Sequence, residues 1–376
     1  MVNITQLISF MNVSINAIGI AVPPYKADQS DIINFMTRHV GQDRRIARKI
    51  RALISLSGIE SRYSVIPDFG SEEGAYEFFP KNQSLEPFPT TSQRMSTYQQ
   101  HAASLALEAV ESCVQKAAAD KSEITHLITV SCTGMYAPGL DIELVDKGGL
   151  STSVERTAIN FMGCYAAFNA LKVANSIIKA DEHANVLLVS VELCSLHFQK
   201  DTNDDALLSN ALFGDGAAAV LMSRSSSTKP SLAFKSFHND LALQGKTEMG
   251  WFIKDVGFEM KLSGEVPEII RNGIQRLTNG LLAKLQLEVS QIDYFAIHPG
   301  GRKILEVIEE SLSLDPLQNQ PAHQIMADFG NMSSPTVLFV INKILENLKP
   351  EDRGKKMLSF AFGPGLTMES MLLEVA

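Results

Sequence analysis

The sequence predicts an α/β fold built from two copies of one unit, with mixed sheets around buried central helices. Three pairs of segments carry this expectation. FMGCYAAFNALKVANSII (161–178) is matched in kind by DFGNMSSPTVLFVINKIL (328–345): Gly163 stands against Gly330, Cys164 against Asn331, Leu171 against Leu338 and Asn175 against Asn342. Upstream, SEITHLITVS (122–131) stands against SQIDYFAIHP (290–299), each a polar lead-in to a buried strand. Downstream, LFGDGAAAVLM (212–222) stands against AFGPGLTMESMLL (361–373), each a Gly turn feeding a strand. Three matches in one order point to an internal duplication, with a period too long for a solenoid. Strand, helix and Gly-turn hairpin then alternate as an α/β fold requires. The halves are placed at 1–225 and 226–376.

In chain order, MVNITQLISFMNVSINAIGI reads as a helix followed by a first strand, without the basic start of a secretory signal. DRRIARKIR (43–51) is a basic run that fits either a solvated helix face or a local phosphate site. The segment 122–131 is a strand ending in an SCTG turn. The helices after Cys164 and after Asn331 are apolar on nearly every face, which places both inside the core. Pro335 belongs to the first turn of the second helix, where a missing N–H costs little. Packed about a pseudo-twofold axis, two such halves bring their equivalent helix N-termini together, each with a different reagent at its mouth.

A chain of 376 residues that is 45% apolar is long enough for a large core, as one domain or two fused ones. It contains no apolar run of the roughly 18 residues that a membrane span needs. The net charge of −9 argues against a nucleic-acid binder. Cys113, Cys132, Cys164 and Cys194 lack metal-like spacing, and no metal site is expected. So few cysteines in so long a chain fit a reducing, cytoplasmic setting.

The residues that carry chemistry sit where the repeats end. Cys164 follows Gly163 at a helix start, where free N–H groups and the helix dipole favour an anion and should lower the thiol pKa below about 8.5. His298 ends the strand IDYFAIH ahead of Pro-Gly-Gly, at the open edge of a sheet where α/β sites lie. An imidazole there can take the thiol proton and give a thiolate–imidazolium pair. Asn331 cannot move protons at neutral pH, but its NH2 group can donate to a developing oxyanion. Together the three residues suit acyl transfer through a thioester. The same donors can stabilise the enolate left when a malonyl group loses CO2. The departing carboxylate supplies the carbanion, so no metal or organic cofactor is needed.

At these residues the chain resembles the type III polyketide synthases, the chalcone synthase-like group of the thiolase superfamily, and in places its bacterial branch. The resemblance runs from about Ile15 to the C-terminus and rests on GCYAA at Cys164, SVEL at Glu192, ALFGDGAAAV around Phe213, IHPGG at His298, GNMSSPTVLF at Asn331, and FGPGLTMES. It implies a thiolase-like fold in αβαβα layers, with Cys164, His298 and Asn331 as the catalytic residues and Phe213 as gatekeeper. It also implies a homodimer with one independent site per subunit, an acyl-CoA starter, and malonyl-CoA as extender. Repeated decarboxylative Claisen condensation would then be followed by ring closure.

Some positions depart from the plant-type pattern. A cavity Phe falls at Met260 and a cavity Gly at Trp251. Of three basic CoA contacts, one matches Lys49 and the others fall on Ala52 and Leu56; Arg48, Arg51, Arg302 or Lys303 could compensate. That also leaves room for a starter delivered by acyl carrier protein. Small residues at Thr133, Ala137 and Cys194, with Ser333 nearby, resemble bacterial relatives in which a side tunnel takes an alkyl tail. They imply a medium- or long-chain starter and an alkylpyrone or alkylresorcinol product. Three other readings share parts of this pattern: a ketoacyl synthase of fatty-acid initiation, a papain-like cysteine hydrolase, and a non-catalytic subunit of the same fold.

Overall fold

The computed structural model describes residues 12–224 and 229–376. The N-terminal helix expected from the sequence lies outside the described residues. Among them, no helix is long and apolar enough to cross a membrane.

Nine strands form one mixed sheet: β1 (Ser14–Ala21), β4 (His126–Ser131), β5 (Glu155–Asn160), β6 (Val186–Leu193), β7 (Asp215–Ser223), β8 (Leu232–Leu241), β11 (Tyr294–Ile297), β12 (Lys356–Gly363) and β13 (Thr367–Val375). Their spatial order is β11-β12-β13-β8-β1-β7-β6-β4-β5. Reading outward from the centre, β1-β7-β6-β4 repeats β8-β13-β12-β11, strand for strand. Each run pairs its last two strands in parallel and the rest antiparallel. The repeat seen in the sequence is therefore a repeat of topology. Two short pairings, Ser14 with Ala233 and Ile15 with Leu232, make one sheet of the two runs.

Burial explains why these strands read as continuous apolar runs. Val186 and Leu188 of β6 face one core while Leu187, Val189 and Val191 face another, and β7 alternates in the same way. Both sheet faces are covered, as period-two side chains then require. The first core holds the two equivalent helices α5 (Ala166–Ala180) and α10 (Thr336–Leu345), the latter buried at every position from Thr336 to Asn342. The second holds α3 (Thr91–Ala117), packed on β1, β6 and β7. Pro335 stands one residue before α10, as its cap.

The rest of the chain is inserted between these elements. After β1 come β2 (Tyr25–Asp28), α1 (Gln29–His39), α2 (Arg44–Leu56) and β3 (Ser61–Ser64). Between β4 and β5 lies α4 (Leu140–Gly148), and between β6 and β7 lies α6 (Asp204–Leu212). After β8 a hairpin of β9 (Met249–Lys254) and β10 (Gly257–Leu262) precedes α7 (Val266–Leu282). After β11 come α8 (Arg302–Leu312) and α9 (Gln320–Phe329).

Candidate active site

Cys164 lies two residues before α5, on a bend that Gly163 makes at φ +88°. A Cβ on Gly163 would stand 2.5 Å from the ring of Pro364, so only glycine fits this approach between the halves. The equivalent bend before α10 has Gly330 at φ +68° and carries Asn331. His298 follows β11, held by its backbone N–H to the Phe360 carbonyl at 2.8 Å. Cys164, His298 and Asn331 face one small chamber, together with Phe213 and Met260. The structure thus brings together the three residues expected to carry the chemistry.

The asparagine is oriented for donation. Its Oδ1 accepts the Ser333 N–H at 2.8 Å, while Nδ2 makes a long contact, 3.5 Å, to the Gly300 carbonyl and faces Cys164. The histidine is wholly buried, and neither ring nitrogen has a hydrogen-bond partner among the described residues. Both nitrogens are therefore free for a ligand, in a place where an unpaired polar group is costly.

Burial works against the expected thiolate–imidazolium pair. Burial pushes the Cys164 thiol up to about 11, against hydrogen bonds from Ser333 and Asn331 that pull it down, and the Glu192 carboxylate nearby pushes the same way as burial. Burial pushes His298 down to about 3. The helix-start effect is outweighed because Cys164 is only 5% exposed. Burial thus favours the neutral thiol and the neutral imidazole.

A larger cavity adjoins the chamber and shares Cys164, Phe213 and Met260 with it. Thr133, Cys194, Trp251 and Ser333 line it, as the sequence led us to expect. One wall is aromatic and fixed. His197 stacks on Phe258 at 4.2 Å and meets Trp251 edge-on. Its Nε2 bonds the Thr133 carbonyl at 2.7 Å and its Nδ1 takes the Phe258 N–H at 2.9 Å. Trp251 Nε1 donates to the Cys132 carbonyl at 2.8 Å. His197, unexplained by the sequence, is thus a neutral wall residue, with burial pushing its pKa down to about 3.

Ala137 is a correction. It is exposed and lines no part of this cavity. Gly134 lies flat on the Tyr98 ring, 2.1 Å from where a Cβ would stand, and the chain beyond it turns out to the surface at 135–139. The basic candidates lie apart from the chamber. Lys49 on α2 is ion-paired with Asp204 of α6. Arg302 and Lys303 begin α8 and both pair with Glu306. Arg51 is exposed and has no ion pair among the described residues. The end of α2 adjoins α8, since a Cβ on Gly58 would stand 3.6 Å from Arg302 Cδ.

Sequence reading missed the web around Glu192. This fully buried carboxylate accepts from Cys132 N at 2.9 Å and Thr133 Oγ1 at 2.7 Å, and from Ser334 Oγ of the other half. Burial raises its pKa. A lone Glu in the apolar run VLLVSVEL was the available signal.

A duplicated sheet with a cysteine and an asparagine at equivalent helix mouths, and a histidine between them, defines a thiolase-like transferase of acyl groups. The comparisons are specific. The N-terminal domain profile of the chalcone and stilbene synthases matches residues 8–225, and the C-terminal domain profile matches 237–376. The chain belongs to this family and is a type III polyketide synthase. It is 32% identical to "Alpha-pyrone synthesis polyketide synthase-like Pks18" of Mycobacterium tuberculosis over 76% of its own length and 74% of that protein. It is 29% identical to "Type III polyketide synthase C" of Arabidopsis thaliana, covering 95% of this chain and 94% of that one. "Probable polyketide synthase 1" of Dictyostelium discoideum is 29% identical, but the chain spans only 11% of that protein's length. The crystal structure of PKS-I from the brown alga Ectocarpus siliculosus superposes with a TM-score of 0.90 at 30% identity, over 97% of this chain and 98% of that one.

Proposed function

We propose that the protein loads a medium- or long-chain acyl group from its CoA thioester onto Cys164 and extends it with malonyl-CoA. The product is released as an alkylpyrone or an alkylresorcinol. The observation that carries this reading is the chamber shared by Cys164, His298 and Asn331, which opens past Phe213 and Met260 into the aromatic-walled cavity.

In loading, the Cys164 sulfur attacks the starter carbonyl as its proton passes to His298, and CoA leaves as the thiol. In extension, malonyl-CoA loses CO2, and the electron pair of the broken C–C bond becomes an enolate whose oxygen is held by His298 and Asn331. The enolate carbon attacks the acyl-Cys164 carbonyl, a C–C bond forms, and the cysteine sulfur is expelled. Each oxyanion donor in such a site typically contributes about 3 kcal/mol. The electrons come from the carboxylate, so the reaction calls for no metal or organic cofactor. Each methylene of a starter buried against Phe198, Phe258 and Trp251 is worth about 0.8 kcal/mol, which favours longer tails. Similarity to the mycobacterial alpha-pyrone synthesis polyketide synthase-like protein supports a pyrone product.

Lys49, Arg51, Arg302 and Lys303 are the proposed contacts for CoA phosphates, with acyl carrier protein as an alternative donor of the starter. A cytoplasmic homodimer completes the reading. The test is product mass spectrometry with malonyl-CoA and a ladder of acyl-CoA starters. We expect free pyrones or resorcinols, most abundant with medium or long starters. A single condensation that runs only on malonyl-acyl carrier protein would replace this reading with the ketoacyl synthase one.

A further inference from the structure

The segment 60–65, which contains β3, runs between the two halves and touches the functional loop of each. On one side it meets the approach to Asn331: Glu60 N bonds the Ala327 carbonyl at 2.8 Å, Ser61 Oγ bonds the Asp328 carbonyl at 2.8 Å, and the Tyr63 ring stacks on Phe329 at 5.7 Å. On the other side it meets the loop of Phe213. Arg62 Nη1 donates to the Phe213 carbonyl at 2.9 Å and also to the Asn210 carbonyl, and Val65 N bonds Asp215 Oδ2 at 2.9 Å.

Phe213 and Asn331 are themselves joined. Asn331 N donates to the Leu212 carbonyl at 2.9 Å and Gly214 N to the Asn331 carbonyl at 3.0 Å, an isolated parallel bridge outside the main sheet. Two bonds alone hold a short bridge weakly. Arg62 lies against both of its strands: a Cβ on Gly214 would stand 3.1 Å from Arg62 Cβ, and one on Gly330 would stand 3.5 Å from it. The guanidinium is buried, with Asp215 as a nearby counter-charge and the Phe69 ring 5.6 Å away. A buried cation spent on two main-chain carbonyls is an expensive way to hold a loop, and it holds one geometry.

We infer that Arg62 is a positioning residue that locks the gatekeeper Phe213 and the oxyanion donor Asn331 into one rigid unit, so that malonyl decarboxylation and C–C bond formation stay coupled. It acts on extension more than on starter loading, because among the described residues Cys164 makes no hydrogen bond to the segment 60–65, although Arg62 lines the same cavity. The inference rests on the condensation reading above.

The test compares wild type with Arg62→Met, which keeps length but removes the donors. Acylation of Cys164 by octanoyl-CoA is followed by intact mass, and pyrone formation and CO2 release are followed with malonyl-CoA. Misplacement of a catalytic group by about 1 Å costs up to about 100-fold. We expect kcat for pyrone to fall about 10- to 100-fold with little change in KM, and CO2 released per C–C bond to rise severalfold. Loading should stay within about threefold. Arg62→Lys, which keeps the charge but loses the guanidinium fork that reaches both carbonyls, should give a smaller uncoupling of the same kind; it carries the test if Arg62→Met does not fold. Unchanged coupling in a folded variant, or loading that falls in step with extension, overturns the inference. A wild type that forms no C–C bond with any starter refutes the condensation reading, and this inference with it.

Discussion

The two helix mouths share a scaffold and differ in what was added around it. Before α5, Gly163 turns the chain and the preceding strand β5 extends beside β4 at the sheet edge. Before α10, Gly330 makes the same turn, but no edge strand precedes it; Asn331 pairs instead with the Phe213 loop of the other half. The returns differ too. Between β12 and β13 the chain needs only the turn 364–366, whereas between β6 and β7 it spends residues 194–214, which include much of the cavity wall and Phe213. The first half thus supplies Cys164 and much of the cavity, and the second supplies His298 and Asn331. Duplication fixed where the reagents meet, and the insertions set what can meet them there.

The sharpest way to break this comparison is to remove the reagent of the first half. Cys164→Ala should lower product formation by more than about a thousandfold while leaving conversion of malonyl-CoA to acetyl-CoA and CO2 measurable. Retained pyrone synthesis would take the nucleophile away from the first mouth. Removing the reagents of the second half comes next. Asn331→Ala and His298→Ala should each reduce kcat for decarboxylation and extension by about 100- to 1000-fold. His298→Ala should also slow acylation of Cys164, and Asn331→Ala should spare it. Equal effects of both on loading would mean that the histidine and the asparagine do not divide the labour as described.

Smaller effects belong to the insertion. Cys194→Phe, in the cavity wall, should shift the preferred acyl-CoA to shorter chains, read from a competition assay over the starter ladder; an unchanged profile would remove Cys194 from the tail's path. Last is the link between the halves. Glu192→Gln keeps the shape but weakens the charge-assisted bonds to Thr133 and Ser334, and it should cost about 1–3 kcal/mol of stability in denaturant unfolding. No loss would mean that the web is dispensable for joining the halves.

Much of this was legible in the residues. Cys164, His298 and Asn331 stand where a repeated strand or helix begins or ends, and such positions survive translation from sequence to space because periodicity sets them. Thr133, Cys194, Trp251 and Met260 were placed correctly by motif. What could not be read depends on packing between distant segments. Ala137 was expected in the cavity from its resemblance to small tunnel residues of bacterial relatives, yet Gly134 packs on Tyr98 and Ala137 lies exposed outside the cavity. The charge state of Cys164 was expected from its helix start and the His298 imidazole, without the desolvation that raises its pKa in the closed chamber. Arg62 looked like any basic residue near a strand; only the carbonyls of Asn210 and Phe213, some 150 residues on, show its use.

The most direct test is to map the acyl group after brief exposure of the protein to octanoyl-CoA without malonyl-CoA. Peptide mass spectrometry should place one octanoyl thioester on Cys164, and addition of malonyl-CoA should discharge it into product. An acyl group on Cys132 or Cys194, or none on the protein during turnover, would contradict a condensation seated between the two helix mouths.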